Sequence, residues 1–256
     1  LLSYVAHLMS KDNPELYRLK SSILKLWLPV FIVILLILPA NLSTSVLLFF
    51  MVLIIVFLGG YPINYILGMF GMGLFTALLF ILIAKANPDW VPNRIDTWIS
   101  RIENFNSGVD NGGNYQIERA KTAIATGGLF GVGAGKSVMK NFLPQSSSDF
   151  IYAIIVEEFG LLGGTALILL YLLVLFRIIV IAHKSDTVYG KLLVLGLGLP
   201  VIMQAFVNMA VALQVFPVTG QTLPLISSGG SAAWMTCIAF GMILSVSAGQ
   251  KIESNT

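Results

Sequence analysis

The feature that most constrains this sequence is a set of six apolar runs, each about as long as a bilayer crossing or longer. They occupy residues 23–40, 42–59, 62–84, 150–182, 191–216 and 231–248. A helix needs about 20 mainly apolar residues to cross a bilayer, and helices satisfy their own backbone polar groups in lipid. The sequence therefore predicts an all-α, multi-pass membrane bundle with about six full transmembrane helices.

Residues 1–9 resemble the end of an earlier transmembrane helix, so we treat residues 1–256 as one membrane-domain fragment and expect an N-terminal part to precede it. Only 11% of the residues are charged, against about 25% in soluble domains. Membrane lipids are therefore expected partners. The net charge of +3 is spread along the chain, which does not favour nucleic acid as a partner.

Basic residues in the short loops predict the topology. They cluster before the first full run, between the fourth and fifth, and after the last, at Lys11, Arg18, Lys20, Lys25, Arg177, Lys184, Lys191 and Lys251. Such clusters favour the cytoplasmic side. The long polar segment at about 85–149 is then an external loop, for which we expect short helices such as one near 116–126.

Asp149 stands where this external loop enters the fourth apolar run. One interpretation is a helix N-cap, a position that favours Asp and Ser. The other is a general base at the boundary between water and membrane. The two interpretations are compatible.

Glu157 and Glu158 follow on the same predicted helix, roughly 12 Å from Asp149 at 1.5 Å per residue. This depth predicts an intramembrane position, where carboxylates line a polar cavity or pair with cations. A glycosidase-type carboxylate pair would need about 5–9.5 Å. The spacing therefore predicts an enzyme that works with one base.

A glycine-rich segment, 131–137, ends in Gly-Lys-Ser. A nucleotide-binding P-loop would need glycine where Phe130 stands, so that site is excluded. A turn between helices and a lipid-diphosphate contact through Lys136 or backbone amides both remain open. His7, His183 and Cys237 are isolated, so no structural metal site is expected.

A second external segment, 216–231, is rich in Pro, Gly and hydroxyl residues and re-enters the membrane at Ser231. Non-helical backbone at membrane depth must line a cavity or be buried in protein. This segment is either a substrate-binding loop or a plain connection. Gln204 and Asn208, just before it, are expected to form hydrogen bonds between helices.

Several motifs in a fixed order resemble the SEDS family (shape, elongation, division and sporulation) of FtsW/RodA-type peptidoglycan polymerases. They cover most of 90–235: Arg101-Ile with Phe105, Tyr115-Gln116, 127–133, 143–150, Glu157-Glu158-Phe-Gly160, 205–208 and 222–231. Family members have about ten membrane helices, so this chain corresponds to roughly the C-terminal two thirds of a family member. It implies a bacterial inner-membrane enzyme that polymerises lipid II in cell division or elongation. The Thr-Leu-Pro run favours the division branch.

The resemblance also implies site residues. Asp149 corresponds to the family's external catalytic Asp, here the base for the acceptor sugar hydroxyl. The diphosphate then needs cations, for which Arg101, Lys121 and Lys136 are the candidates. Thr222, Ser227 and Ser228 are candidates for contacts with the sugar or within the loop. Glu157 and Glu158 are further candidates for substrate binding. No cofactor is certain, and a divalent cation remains open. The implied protein partner is a class B penicillin-binding transpeptidase.

Three positions depart from the usual family pattern. Val218-Thr219-Gly220 lacks a common Lys, Ser228 replaces a common Tyr, and Asn41 lies where an acidic residue is common. Two other functions remain open beside the polymerase. A lipid II flippase would depend on Glu157 and Glu158, and a scaffold for the transpeptidase would use Asp149 as a cap only.

Overall fold

The computed structural model describes residues 1–11, 19–86, 114–143 and 146–253, and this part of the chain contains helices and turns without strands. The N-terminal helices are α1 (Leu2–Ser10), α2 (Leu19–Ser22), α3 (Leu28–Ile37), α4 (Leu42–Leu58) and α5 (Ile63–Ala86), with a π-helical turn at Ile23–Trp27. The later helices are α6 (Asn114–Gly127), α7 (Ile151–Lys184), α8 (Val188–Ala212) and α9 (Gly230–Glu253), with a 3-10 turn at Met139–Asn141.

The helices follow the apolar runs, and the all-α prediction is confirmed. Five spans are long and apolar enough to cross a membrane: Lys20–Ile37, Ile63–Ile83, Ile151–Lys184, Val188–Ala212 and Gly230–Gly249. The remaining apolar run, 42–59, forms α4, which has only 17 residues. The helix expected near 116–126 is confirmed as α6, and its place on the external side stays a prediction. Most of the remaining external loop, including Arg101 and Phe105, lies outside the described residues.

The chain forms two compact units. The first draws on residues within 1–97, 178–200 and 239–256, and its core packs Val5, Trp27, Val30, Val52 and Val56 with their neighbours. Asn41 begins α4 as an N-cap, because its side chain accepts a hydrogen bond from Thr44 N at 3.1 Å. A polar cap satisfies an amide that has no partner within the helix. The unusual Asn at this position is therefore compatible with a well-formed helix start.

The second unit, within 98–177 and 201–238, contains a break in α7. Gly160 has φ +71° and ψ −173°, which no regular helix contains. In an unbroken helix, Leu161 and Leu162 would donate to the carbonyl groups of Glu157 and Glu158. Here those amides donate instead to Gly128 O (2.9 Å) and Leu129 O (3.3 Å).

The carbonyl groups freed by this break are paired by the same loop. Val132 N donates to Glu157 O and Gly133 N to Glu158 O, each at 3.0 Å. The loop thus replaces two helix hydrogen bonds with four hydrogen bonds of its own. Buried backbone groups need partners, so the break in the helix and the docking of the loop depend on each other.

Glycines permit this close approach of two backbones. A Cβ on Gly131 would lie 2.2 Å from Glu158 O, and one on Gly160 would lie 2.3 Å from Leu129 O. Both glycines also have positive φ, a region that other residues enter at a cost. The glycine-rich segment is therefore a docked turn against α7.

The length of α7 changes the expected depth of the two glutamates. Its 34 residues exceed the roughly 20 that cross a bilayer, by about 14. The first ten residues of α7, Ile151 to Gly160, are thus not needed for the crossing. An intramembrane position for Glu157 and Glu158 therefore does not follow from their place in the helix.

Replacement of Gly131 by Ala tests the docked turn. We expect Gly131→Ala to lower the free energy of unfolding by more than about 3 kcal/mol, because it adds a backbone clash to an unfavourable φ. Gly128→Ala is the matched control: Gly128 also has positive φ (+52°), but a Cβ there meets nothing within 4 Å, so we expect a loss of about 1–2 kcal/mol. Thermal unfolding of the detergent-solubilised protein measures both. Equal losses would contradict the docking.

Candidate functional site

Asp149 lies in the turn that leads into α7, two residues before the helix begins. Its carboxylate is half-buried, and Ser148 Oγ donates to Asp149 Oδ1 at 3.1 Å. The next residue, Phe150, is buried and anchors the turn in the core of the second unit. Asp149 is therefore held at the surface with a carboxylate that solvent and a ligand can reach.

The turn is fixed through three consecutive backbone carbonyl groups. Ser147 O accepts from Ser228 N (2.9 Å) and Ser228 Oγ (3.0 Å), and Ser148 O accepts from Ser227 Oγ at 2.6 Å. Asp149 O accepts from Asn208 Nδ2 at 2.8 Å. We call Asn208, Ser227 and Ser228 the carbonyl clamp. Because the clamp uses main-chain acceptors, it orients Asp149 and leaves its carboxylate free for chemistry.

The segment that supplies the clamp, 216–229, is itself tied down. Asn208 Nδ2 also donates to Gln221 O at 2.6 Å, and Gln204 Nε2 donates to Thr222 O at 3.0 Å and Thr222 Oγ1 at 3.2 Å. Tyr171 donates its hydroxyl hydrogen bond to Pro224 O. The prediction that Gln204 and Asn208 bond to other helices is thus wrong in its partners, because both bind loop backbone.

Gly220 brings this segment close to the carboxylate. Gly220 has φ +68°, and a Cβ built there would lie 3.7 Å from Asp149 Oδ2. Leu225 also adopts a positive φ, +68°, which is costly for a residue with a side chain and is typical of functional turns. The segment thus forms a wall beside Asp149. Its role in substrate binding stays a prediction.

Glu157 is fully buried, and both of its carboxylate oxygens accept hydrogen bonds from the glycine-rich loop. Oε2 accepts from Ser137 Oγ, and Oε1 accepts from Val138 N (3.1 Å) and Met139 N (3.3 Å). This arrangement gives Glu157 protein partners and no exposed surface for substrate. The neighbouring Glu158 is half-buried.

Two of the predicted cations lie among the described residues. Lys121 is exposed on α6, and Lys136 is exposed on the glycine-rich loop. Lys140, which was not among the predicted cations, is also exposed. Ser146 Oγ donates to the carbonyl group of Lys140 at 3.1 Å, which connects Lys140 to the turn of Asp149. Arg119 stacks on Tyr115 and Phe142, with its Cζ 4.9 and 5.8 Å from the ring centres.

The structure thus brings Ser227 and Ser228 into contact with the Asp149 turn. Thr222 lies in the same segment, where it is bound by Gln204. Asn208 as the central donor was missed, because a single polar residue in an apolar helix does not reveal its partner. A divalent cation was left open by the sequence. Within the described ranges, no three His, Cys, Asp or Glu side chains form a group that could hold a metal ion.

Comparison with known proteins gives consistent matches along the chain. Residues 1–252 match the FtsW/RodA/SpoVE family, described as cell cycle proteins. A probable peptidoglycan glycosyltransferase FtsW from Nitrosococcus halophilus is 34% identical over 217 residues, 83% of this chain and 54% of that protein. The stage V sporulation protein E of Bacillus subtilis is 34% identical over 198 residues, 76% of this chain and 51% of that protein.

Two solved structures are also similar. One belongs to a peptidoglycan synthase complex that coordinates polymerization and crosslinking, with a TM-score of 0.68, 26% identity and coverage of 96% of this chain and 66% of that one. The other, a mutant of the rod shape determining protein RodA of Thermus thermophilus, has a TM-score of 0.59 at 24% identity, with 96% and 62% covered, and supports the fold. The chain spans about half the length of the two curated relatives described above.

Loss of the clamp donor Asn208 tests how the turn is held. We expect Asn208→Ala to cost about 3 kcal/mol of unfolding free energy, because one buried and one partly buried carbonyl group lose their donor. Gln204→Ala, one helical turn earlier and bound only to Thr222, should cost about 1 kcal/mol. Thermal unfolding compares the two variants. A smaller loss for Asn208→Ala than for Gln204→Ala would contradict the clamp.

Proposed function

We propose that the protein to which this chain belongs is a peptidoglycan glycosyltransferase. The chain is a member of the FtsW/RodA/SpoVE family of cell cycle proteins. It is a multi-pass membrane protein, as its long apolar helices and its family indicate. In this proposal it joins the disaccharide units of lipid II into glycan strands on the outer face of the bacterial inner membrane. The similar FtsW proteins favour the division type.

The observation that carries this proposal is the way Asp149 is held. Three consecutive carbonyl groups around it are fixed by the clamp, while its carboxylate has only the Ser148 hydroxyl as a donor among the described residues. A general base must be held in place and still be free to accept a proton. A helix cap would instead direct its carboxylate to the first-turn amides of α7.

The chemistry then needs one base and several cations. The acceptor hydroxyl oxygen bonds to the anomeric carbon of the donor sugar while its proton passes to Asp149. The bond from that carbon to the diphosphate oxygen breaks, and the lipid diphosphate leaves with the electron pair. Because this leaving group is stabilised by positive charge, no general acid is required. Lys121, Lys136 and Arg101 are the proposed cations, and Thr222 is proposed to face the sugar.

The proposed protein partner is a class B penicillin-binding transpeptidase. Support comes from the similarity to the synthase complex whose description joins polymerization and crosslinking. A scaffold role for this chain is compatible with polymerisation. The flippase alternative loses one of its two supporting residues, since the Glu157 carboxylate is buried against protein donors and offers no polar passage.

Replacement of Asp149 tests the base directly. We expect Asp149→Asn in the full-length protein with its partner to form glycan strands from purified lipid II at least about 100-fold more slowly, because the amide cannot accept the proton. Glu118→Gln, an equal change on the exposed face of α6, is the control and should leave the rate unchanged. If Asp149→Asn still binds its partner and forms glycan strands at a near-normal rate, Asp149 is a helix cap and not the base.

The cation assignment makes a separate prediction about Lys136. We expect Lys136→Met to lower kcat about 10-fold or more, because the developing charge on the diphosphate loses a counter-charge. Lys136→Arg keeps the charge and should retain most of the activity. Steady-state polymerisation assays compare the two variants. Equal rates for Met and Arg would exclude Lys136 from this role.

A further inference from the structure

We propose that Glu157 is a positioning residue, which fixes the exposed tip of the glycine-rich loop relative to Asp149. This inference rests on the proposed function for its kinetic consequence, but its structural part stands without it. The loop tip is defined here as Ala134, Gly135 and Lys136, all of which are exposed. The carboxylate of Glu157 binds the loop after the tip, and the backbone carbonyl group of Glu157 binds the loop before the tip.

The loop is fastened on both sides of the tip. Before it, Val132 N and Gly133 N donate to the carbonyl groups of Glu157 and Glu158. After it, Ser137 Oγ, Val138 N and Met139 N donate to the Glu157 carboxylate. One residue therefore closes both ends of a short exposed segment, and Lys136 lies within that segment. The backbone of Lys136 is thereby restrained against α7.

Ser137 extends the effect of Glu157 to a second cation. Its hydroxyl donates to Glu157 and accepts from Lys140 N at 3.1 Å. The start of the 3-10 turn at Met139–Asn141 is thus held by the same carboxylate. Since hydrogen bonds to ionised groups are roughly twice as strong as neutral ones, a carboxylate holds this turn more firmly than an amide would.

The link to the base is short. Asp149 lies eight residues before Glu157, and the intervening residues Tyr152, Ala153, Ile154 and Val156 are buried in the second unit. This part of α7 is regular helix, so it fixes the separation of Asp149 and Glu157. A loop fixed to Glu157 is therefore also fixed relative to the proposed base.

Two sets of measurements on the full-length protein with its partner test this inference. The variants are Glu157→Ala, Glu157→Gln, Ser137→Ala and the double variant Glu157→Ala with Ser137→Ala, and Glu118→Gln is the control. Hydrogen exchange by mass spectrometry follows the segment 132–140. Lipid II polymerisation gives kcat and KM separately for each variant.

We expect amide exchange in 132–140 to be at least about 10-fold faster in Glu157→Ala, while exchange in α6 stays unchanged. We also expect kcat to fall at least about 30-fold with less than about a 3-fold change in KM, because the cations act in the transition state. Glu157→Gln should lose less, since its carbonyl oxygen still accepts the amides. The double variant should be no slower than Glu157→Ala alone, since the two residues share one interaction.

Several outcomes would overturn the inference. If amide exchange in 132–140 is unchanged in Glu157→Ala, the inference loses its structural basis. If KM rises while kcat stays unchanged, Glu157 affects substrate binding only. If Glu157→Ala fails to fold, the other two single variants decide the question. Wild-type amide exchange and wild-type kcat in both Glu157→Gln and Ser137→Ala would overturn the inference. Absence of polymer from the wild type would instead refute the proposed function, and the exchange data would still decide the role of Glu157.

Discussion

The exchange of hydrogen bonds at Gly160 is the interaction on which the second unit depends. A break in a helix leaves two amides and two carbonyl groups without partners, which is costly for backbone groups that are shielded from water. The glycine-rich loop supplies the matching groups from Gly128, Leu129, Val132 and Gly133. Neither the break nor the loop conformation is stable without the other, so they form as one piece.

The Asp149 turn follows the same principle on a smaller scale. Its backbone is not helical, and its three carbonyl groups are paired by side chains from α8 and from the segment 216–229. Because the three acceptors are consecutive, the turn cannot move without breaking several bonds together. A carboxylate held in this way keeps its orientation without being neutralised or covered. The proposed catalytic role of Asp149 requires this combination.

Sequence reasoning predicted the helices well, because apolar runs of bilayer length have few other solutions. The helix α6 and the fold class were confirmed, and the family followed from several motifs in order. The partners of single polar residues could not be predicted, because Asn208 and Asp149 are 59 positions apart. Glu157 was expected to line a cavity or to pair with a cation, since the sequence gives no sign that a loop 20 residues earlier turns back to cover it. The kink at Gly160 was missed for the same reason.

The docking of the loop against α7 runs largely through backbone atoms and glycines, with Glu157 as the main contributing side chain. Leu129 and Phe130 at the turn, like the residues of the loop tip, point their side chains outward and are exposed. Their identities are therefore weakly coupled to the docking itself. Apart from the proposed cation Lys136, lineages can exchange such residues and so diversify the surface of the loop while its path along the helix stays the same. Natural variation in this family should accordingly be conservative at the glycines and freer at the residues between them.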